Sequence, residues 1–232
     1  MNRRFRQLLW LISMILVLLS SGCRPVHVQD GVSTRAQRRE TIPLDRLKVF
    51  LEAPKRVYTM QPERVLDVLG VKQGETVGDI GAGTGFFSLP LARRVGVAGH
   101  VYAVEIEDEL LAFIGEKIKR QQVTNIILVK SSDSTPNLPP ACCDRILIAN
   151  TYIYFDDPVT FMRNVRPSLK PGGLVGIIEV DADKAKSEKK LLEIKGRVAS
   201  EVIDEMKSAG FLFRKSHDFL ESRFFLEFSP VE

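Results

Sequence analysis

The sequence predicts an α/β domain built on a mostly parallel sheet, with helices covering both faces. Three observations carry that expectation. Helical and strand-like apolar patterns alternate from about Leu44 onward. The run Thr76 to Ile80 reads as a strand, ends in a glycine-rich turn and passes straight into a helical pattern. The last two strand-like segments, Phe211 to Phe219 and Arg223 to Phe228, are close enough in the chain to pair antiparallel.

Each element has its own signal. Pro62 opens a helix whose Val65, Leu66, Val68 and Leu69 form an apolar side, and Gly70 ends it. Thr76 to Ile80 is the first strand, and a helix is expected from about Phe86 to Val95, broken by Gly96 and Gly99. His100 to Ile106 is the second strand. Glu107 and Asp108 then suit the positive end of a helix carrying Leu110, Leu111, Ile114 and Ile118. Asn125 to Lys130 and Arg145 to Asn150 read as strands three and four. Asp157-Pro158 opens the next helix, with Val159, Phe161, Met162 and Val165 inward. Lys170-Pro171-Gly172-Gly173 turns the chain into strand five, Leu174 to Val180, and a charged helix is expected over Ser187 to Ala209. No internal repeat or second domain is evident.

With 232 residues, 44 % hydrophobic and 27 % charged, the chain has the balance of a globular protein with room for one medium domain and a leader. The net charge of +4 is concentrated at the N-terminus, in Arg3, Arg4 and Arg6. Without them the chain is near neutral, so no nucleic-acid partner is expected. Residues Arg24 to Arg56 are the most basic remainder, with Arg35, Arg38, Arg39 and Arg46, and read as a solvated charged face.

The glycine turn is the most informative stretch. In Asp79-Ile80-Gly81-Ala82-Gly83-Thr84-Gly85 the glycines fall at alternate positions directly after a strand. Such a turn needs positive φ and lets a ligand approach the backbone, while the helix start offers free N–H groups. Dinucleotide sites prefer G-x-G-x-x-G, and this turn reads G-x-G-x-G, so a dinucleotide-dependent enzyme is disfavoured. A carboxylate, Glu105, stands at the end of the second strand, where its two oxygens could each accept a hydroxyl proton.

Taken in order, these segments resemble the class I S-adenosylmethionine-dependent methyltransferases, over about Leu44 to Phe228. The resemblance implies a Rossmann-like seven-stranded sheet ending in an antiparallel hairpin. It implies that Asp79, Gly81, Gly83 and Gly85 hold the methionine part of the cofactor and that Glu105 holds the two ribose hydroxyls. Of Ser132 and Asp133 after strand three, Asp133 is the choice for the adenine amino group. Asn150 ends strand four, on the edge where cofactor and substrate sit. The segment Asn150-Thr151-Tyr152-Ile153-Tyr154-Phe155 resembles the Asn-Thr-Tyr-His-x-Phe of a little-characterised bacterial branch, with Ile153 where the histidine stands. Thr84 and Phe86 are candidates for the pocket wall.

The function expected is methyl transfer from S-adenosylmethionine to an unidentified, small-molecule acceptor. Tyr152 and Tyr154 are the candidates for positioning the nucleophile. No base is evident: His27 lies before the domain, His100 begins a strand and His217 lies in the terminal hairpin. Alignment and exclusion of water can drive attack on a sulfonium methyl without one. The alternative is a membrane-tethered module that keeps the fold without the reaction. Cys142 and Cys143 are adjacent and read as buried or half-buried residues, with no spacing that suggests a metal site.

The N-terminus reads as a signal peptide over residues 1–22, followed by a linker over 23–43 and the domain over 44–232. Arg3, Arg4 and Arg6 precede an apolar run, Leu8 to Leu19, which is shorter than the roughly 20 residues a bilayer span needs. Ser20-Ser21-Gly22-Cys23 resembles a bacterial lipobox, with Ser20 where leucine is usual. The resemblance implies lipidation of Cys23 and an exported protein anchored at the cell-envelope membrane. An exported domain would meet little of a cytoplasmic cofactor, and an uncleaved anchor facing inward conflicts with the basic N-terminus.

Overall fold

The computed structural model describes residues 43–187 and 196–231. The expected signal peptide, linker and Cys23 lie outside the described residues. A seven-stranded sheet organises the domain, with β1 Thr76–Ile80, β2 His100–Glu105, β3 Ile126–Lys130, β4 Cys143–Ala149, β5 Leu169–Val180, β6 Phe211–His217 and β7 Arg223–Pro230. Its order is β3-β2-β1-β4-β5-β7-β6. The first five strands run parallel and β7 pairs antiparallel with both β5 and β6, so the terminal hairpin forms as the sequence predicts.

The helices are α1 Leu44–Leu51, α2 Lys55–Met60, α3 Pro62–Val68, α4 Ser88–Val95, α5 Asp108–Arg120, α6 Pro158–Val165, α7 Ala182–Ser187 and α8 Ala199–Ser208. Alternation along the strands divides the core into two layers. On one face Val77, Ala103, Leu147, Ile178 and Phe225 pack with residues of α3, α4 and α5. On the other, Ile80, Val104, Ile146, Ile148, Ile177 and Leu226 pack with α6 and α8. The sheet is therefore covered on both sides, and the C-terminal ends of β1, β2, β4 and β5 form one edge. Strand order reverses at β1, between β2 and β4, and ligands bind open α/β sheets at such a switch point.

Three expectations need correction. The charged helix over Ser187 to Ala209 is not continuous. Arg197 forms a parallel bridge with Asp181, its N–H donating to Val180 O at 2.9 Å, and α8 begins only at Ala199. Gly196 makes this possible, because a Cβ there would lie 2.7 Å from Val180 O. Helix α4 starts at Ser88 rather than Phe86, since the glycine turn continues through Phe87. Strand β5 begins at Leu169 and crosses Lys170–Gly173 as an irregularity, because Leu169 pairs with Cys143 before Leu174 pairs with Arg145.

Candidate cofactor site

The glycine turn leaves β1 at the switch point. Gly81, Gly83 and Gly85 have φ of 75°, 59° and 78°, the left-handed region that side chains rarely adopt. Gly81 is also sterically closed, because a Cβ there would overlap the Thr151 side chain. The turn is held to β2 by the Gly81 and Ala82 amides, which donate to Val104 O at 2.8 and 3.0 Å.

Glu105 ends β2 and is 4 % exposed. Its Oε2 accepts from Gly83 N at 2.9 Å, and its Oε1 accepts from Ile106 N and Glu107 N at 2.7 and 3.1 Å. The carboxylate is thus aimed by three backbone amides at the place where the glycine turn and the end of β2 meet. Together with Ile80, Gly81, Ile106, Ser131, Ser132, Thr151, Phe155 and Phe161, it lines a small, partly open cleft. Phe155 and Phe161 stack with centroids 4.1 Å apart behind it.

Asp79 lies at 2 % exposure one strand away and accepts from Ser88 Oγ at 2.6 Å. Burial pushes its carboxyl up to about 6, with the Glu105 charge adding to the rise and Ser88 and Arg56 opposing it. Asp133 sits on the exposed loop after β3, while Ser131 and Ser132 stand on the cleft wall. Asn150 follows β4 with φ 54°, and its side chain spans two other elements. Its Nδ2 donates to Met60 Sδ at 3.5 Å, and its Oδ1 accepts from Arg223 Nε at 3.2 Å.

Tyr152 and Tyr154 form a short 3₁₀ turn after β4. Tyr152 is fully buried and points into the layer formed with α6 and α8. The Arg197 guanidinium lies 5.7 Å from its ring centroid, and its hydroxyl stands against the Glu205 carboxylate without good hydrogen-bond geometry. Burial, reinforced by the Glu205 carboxylate, pushes its phenol well above the ordinary range. Tyr154 is half-buried, with its N–H donating to Thr151 O at 2.9 Å. Ile153, at the histidine position, donates its N–H to Glu179 Oε2 at 3.2 Å. His217 pairs with Glu227 Oε1 at 2.9 Å in the hairpin, away from the cleft.

The structure adds site residues that the sequence reading missed. Thr151 joins the cleft wall, its Oγ1 donating to the Gly81 and Ala149 carbonyls at 3.4 and 3.3 Å. Glu179, at 2 % exposure near the end of β5, also accepts from Val180 N at 3.0 Å. Burial pushes its carboxyl up to about 7, against the pull of its backbone donors, Arg223 and Arg197. Helices α1 and α2 roof the glycine turn: Leu51 Cδ1 lies 3.3 Å from where a Gly83 Cβ would be. Lys117 of α5 clamps this roof, its Nζ 2.8 Å from Glu52 Oε2 and 3.2 Å from Thr84 O. Arg56, expected on a solvated face, lies over the Phe86 ring at 4.5 Å. These contacts join residues far apart in sequence, so no local motif announces them.

The chain is similar to known methyltransferases. Residues 78–177 match the family model of a methyltransferase domain. The chain is 23 % identical over 150 residues to the uncharacterized methyltransferase YdaC of Bacillus subtilis, covering 63 % of this chain and 76 % of that protein. It is 30 % identical over 124 residues to a ubiquinone/menaquinone biosynthesis C-methyltransferase of an Enterobacter species, covering 53 % of this chain but only 49 % of that enzyme. Among solved structures, an S-adenosylmethionine-dependent methyltransferase from Aquifex aeolicus superposes with a TM-score of 0.73 at 26 % identity. That alignment covers 82 % of this chain and all of the other.

Proposed function

Since this chain is an S-adenosylmethionine-dependent methyltransferase, we propose that it methylates a small-molecule acceptor reaching the C-terminal edge of the sheet beside β4 and β5. The observation that carries this reading is the shared wall of Glu105, Gly81, Ser132 and Thr151 around one cleft at the switch point. The residues present fit the cofactor. The glycine turn offers backbone with no Cβ in the way, and Glu105 is fixed by amides so that its carboxylate faces the cleft.

The cofactor supplies an electrophilic sulfonium methyl. The chain's part is binding, orientation and exclusion of water. Glu105 would take the ribose hydroxyls, Gly81 to Gly85 the methionine part, and Ser131 and Ser132 the adenine side, with Asp133 on the adjoining loop. The Asn150–Tyr154 segment borders the acceptor side, and Asn150 holds it to Met60 and Arg223. Calorimetric titration of S-adenosylmethionine and S-adenosylhomocysteine tests the site. Binding by the wild type and its loss in Glu105→Ala are expected, and no binding by a folded wild type overturns the reading.

The place of action belongs to the same proposal. Basic residues at Arg3, Arg4 and Arg6, the apolar run and Ser20-Ser21-Gly22-Cys23 support export and lipid attachment at Cys23, at the cell-envelope membrane. Among the described residues no helix is long and apolar enough to cross a membrane. Metabolic labelling with a fatty-acid probe should mark the wild type and not Cys23→Ser. Labelling that survives the substitution overturns the anchor.

A further inference from the structure

Four of the ten large apolar side chains that stand exposed among the described residues fall between Val49 and Tyr58, in the roof helices. Helix α1 is amphipathic in the usual way on its inner side. Leu44, Leu47, Lys48 and Leu51 recur at helical spacing and are half-buried, with Leu51 against the glycine turn and Lys48 over the Phe113 ring. Packing against the domain needs no second apolar stripe. Val49 and Phe50 nevertheless stand on the outer side with Arg46, at 74 % and 64 % exposure. Helix α2 repeats the pattern: Arg56 and Met60 are withdrawn from solvent, whereas Lys55, Val57 and Tyr58 are exposed, the last at 81 %. Single apolar residues on a surface need no explanation, but four on two consecutive helices do.

The charges on this face have one sign to offer. Its acids are already paired, Asp45 with Lys48 at 3.9 Å and Glu52 with Lys117 at 2.8 Å. Arg46 and Lys55 are exposed and form no ion pair among the described residues. The preceding chain adds Arg35, Arg38 and Arg39. It also limits where the face can be. Helix α1 begins about 20 residues after Cys23, the proposed point of lipid attachment, and a chain of that length reaches no farther than about 70 Å. The roof is thus the first helical layer that the anchor holds near the lipid. Amphipathic helices lying in such a surface bury their apolar side by roughly 5–10 Å, and nearby cations strengthen the contact with anionic lipid.

We propose that the outer face of the roof docks on an anionic lipid surface, with Val49, Phe50, Val57 and Tyr58 entering the interface and Arg46 and Lys55 meeting the headgroups. This rests on the membrane attachment read from the leader and goes beyond it. The anchor tethers the chain, whereas the roof orients the domain on the membrane. Tyr58 suits the boundary, because its ring is apolar and its hydroxyl stays wet.

Fluorescence quenching on the full chain tests the docking. Trp10 is the chain's one tryptophan, so a Trp10→Phe background accepts a single reporter indole. Tyr58→Trp, with Phe50→Trp as a second reporter, is placed on phosphatidylglycerol vesicles whose lipid is brominated near the top of the acyl chains. Each indole should lose about half of its emission or more. Val97→Trp, at a 96 % exposed position just before β2 and so at the opposite edge of the sheet, should keep its emission. Adding Arg46→Glu and Lys55→Glu should cut the quenching about twofold or more while the chain still floats with the vesicles. Quenching that ignores this charge reversal overturns an anionic surface as the occupant. Unquenched roof indoles in a chain that floats overturn the docking and leave the anchor standing. Indoles shielded from aqueous iodide but not quenched by the brominated lipid also overturn it, since a second copy or the chain's own leader would then cover the face. A chain that does not float removes the anchor and the docking together.

Discussion

Glu105 Oε2 accepts the Gly83 amide at 2.9 Å, joining the end of β2 to the glycine turn that leaves β1. The bond orients the carboxylate and fixes the turn at once, so the ligand contact proposed for Glu105 and local stability share one group. Removing it strands the amides of Gly83, Ile106 and Glu107. Glu105→Ala should therefore cost about 1–3 kcal/mol of stability, the price of buried donors left without partners. It should also weaken S-adenosylhomocysteine binding by tenfold or more. Glu105→Gln keeps an acceptor and should recover stability more than affinity. Thermal unfolding and calorimetry on both variants separate the two effects.

Gly81 and Thr151 occupy one space. Gly81→Ala places a Cβ on the Thr151 side chain at φ 75°, so strain and overlap add. The single variant should lose roughly 2–4 kcal/mol. Adding Thr151→Gly should return the steric part and leave the backbone part, giving a coupling of about 1 kcal/mol or more in a double-mutant cycle. Simple additivity of the two losses would show that the overlap relaxes elsewhere.

Two buried acids set the pH dependence. Asp79 rises from 3.8 to about 6 and Glu179 from 4.5 to about 7, so over this range the folded state holds more protons than the unfolded chain. Their contribution is full below about pH 4, declines as pH rises toward 7 and levels off above it. Denaturant midpoints measured from pH 4.5 to 8 should reveal this slope, once other groups are accounted for by comparison with a variant. Glu179→Gln should flatten the upper part of the decline. An unchanged slope in that variant would mean that Glu179 is not raised.

Tyr152 tests what its burial means for catalysis. Its hydroxyl misses hydrogen-bond geometry but stands against the Glu205 carboxylate, so Tyr152→Phe removes a poorly satisfied polar group and the charge contact it makes. The variant should be as stable as the wild type or slightly more so, with unchanged cofactor affinity. Tyr154→Phe acts on a half-buried residue of the same turn. If either tyrosine aligns the acceptor, its phenylalanine variant should lower kcat while leaving cofactor binding intact. The buried phenol of Tyr152 makes Tyr154 the better candidate.

Lys117 ties the roof to the turn through Glu52 and the Thr84 carbonyl. The pair is partly solvent-exposed, so Lys117→Met should cost no more than about 1 kcal/mol globally. Its effect should instead be local, as faster amide exchange over residues 44–60. Exchange unchanged there would show that Leu51 and Arg56 hold the roof without the clamp.

The local order of the chain was sufficient for much of this. Alternating patterns located each of the seven strands, since period-two and period-3.6 burial are written in consecutive residues. The glycines were legible because positive φ demands them, and Glu105 because the strand end placed it beside the turn. Tertiary structure decided what depended on distant partners. Tyr152, a candidate for positioning the nucleophile by its place after strand four, was carried instead into the core, where it packs with α6 and α8 and meets Arg197. Arg56 left the charged surface expected of it because α2 folds back over Phe86, thirty residues on. Ser187 to Ala209 failed as one helix because Arg197 is drawn into a bridge with Asp181, a contact that no helical period encodes. Short-range periodicity thus determined the sheet and the glycine turn, whereas long-range packing determined which charged and aromatic groups face the cleft.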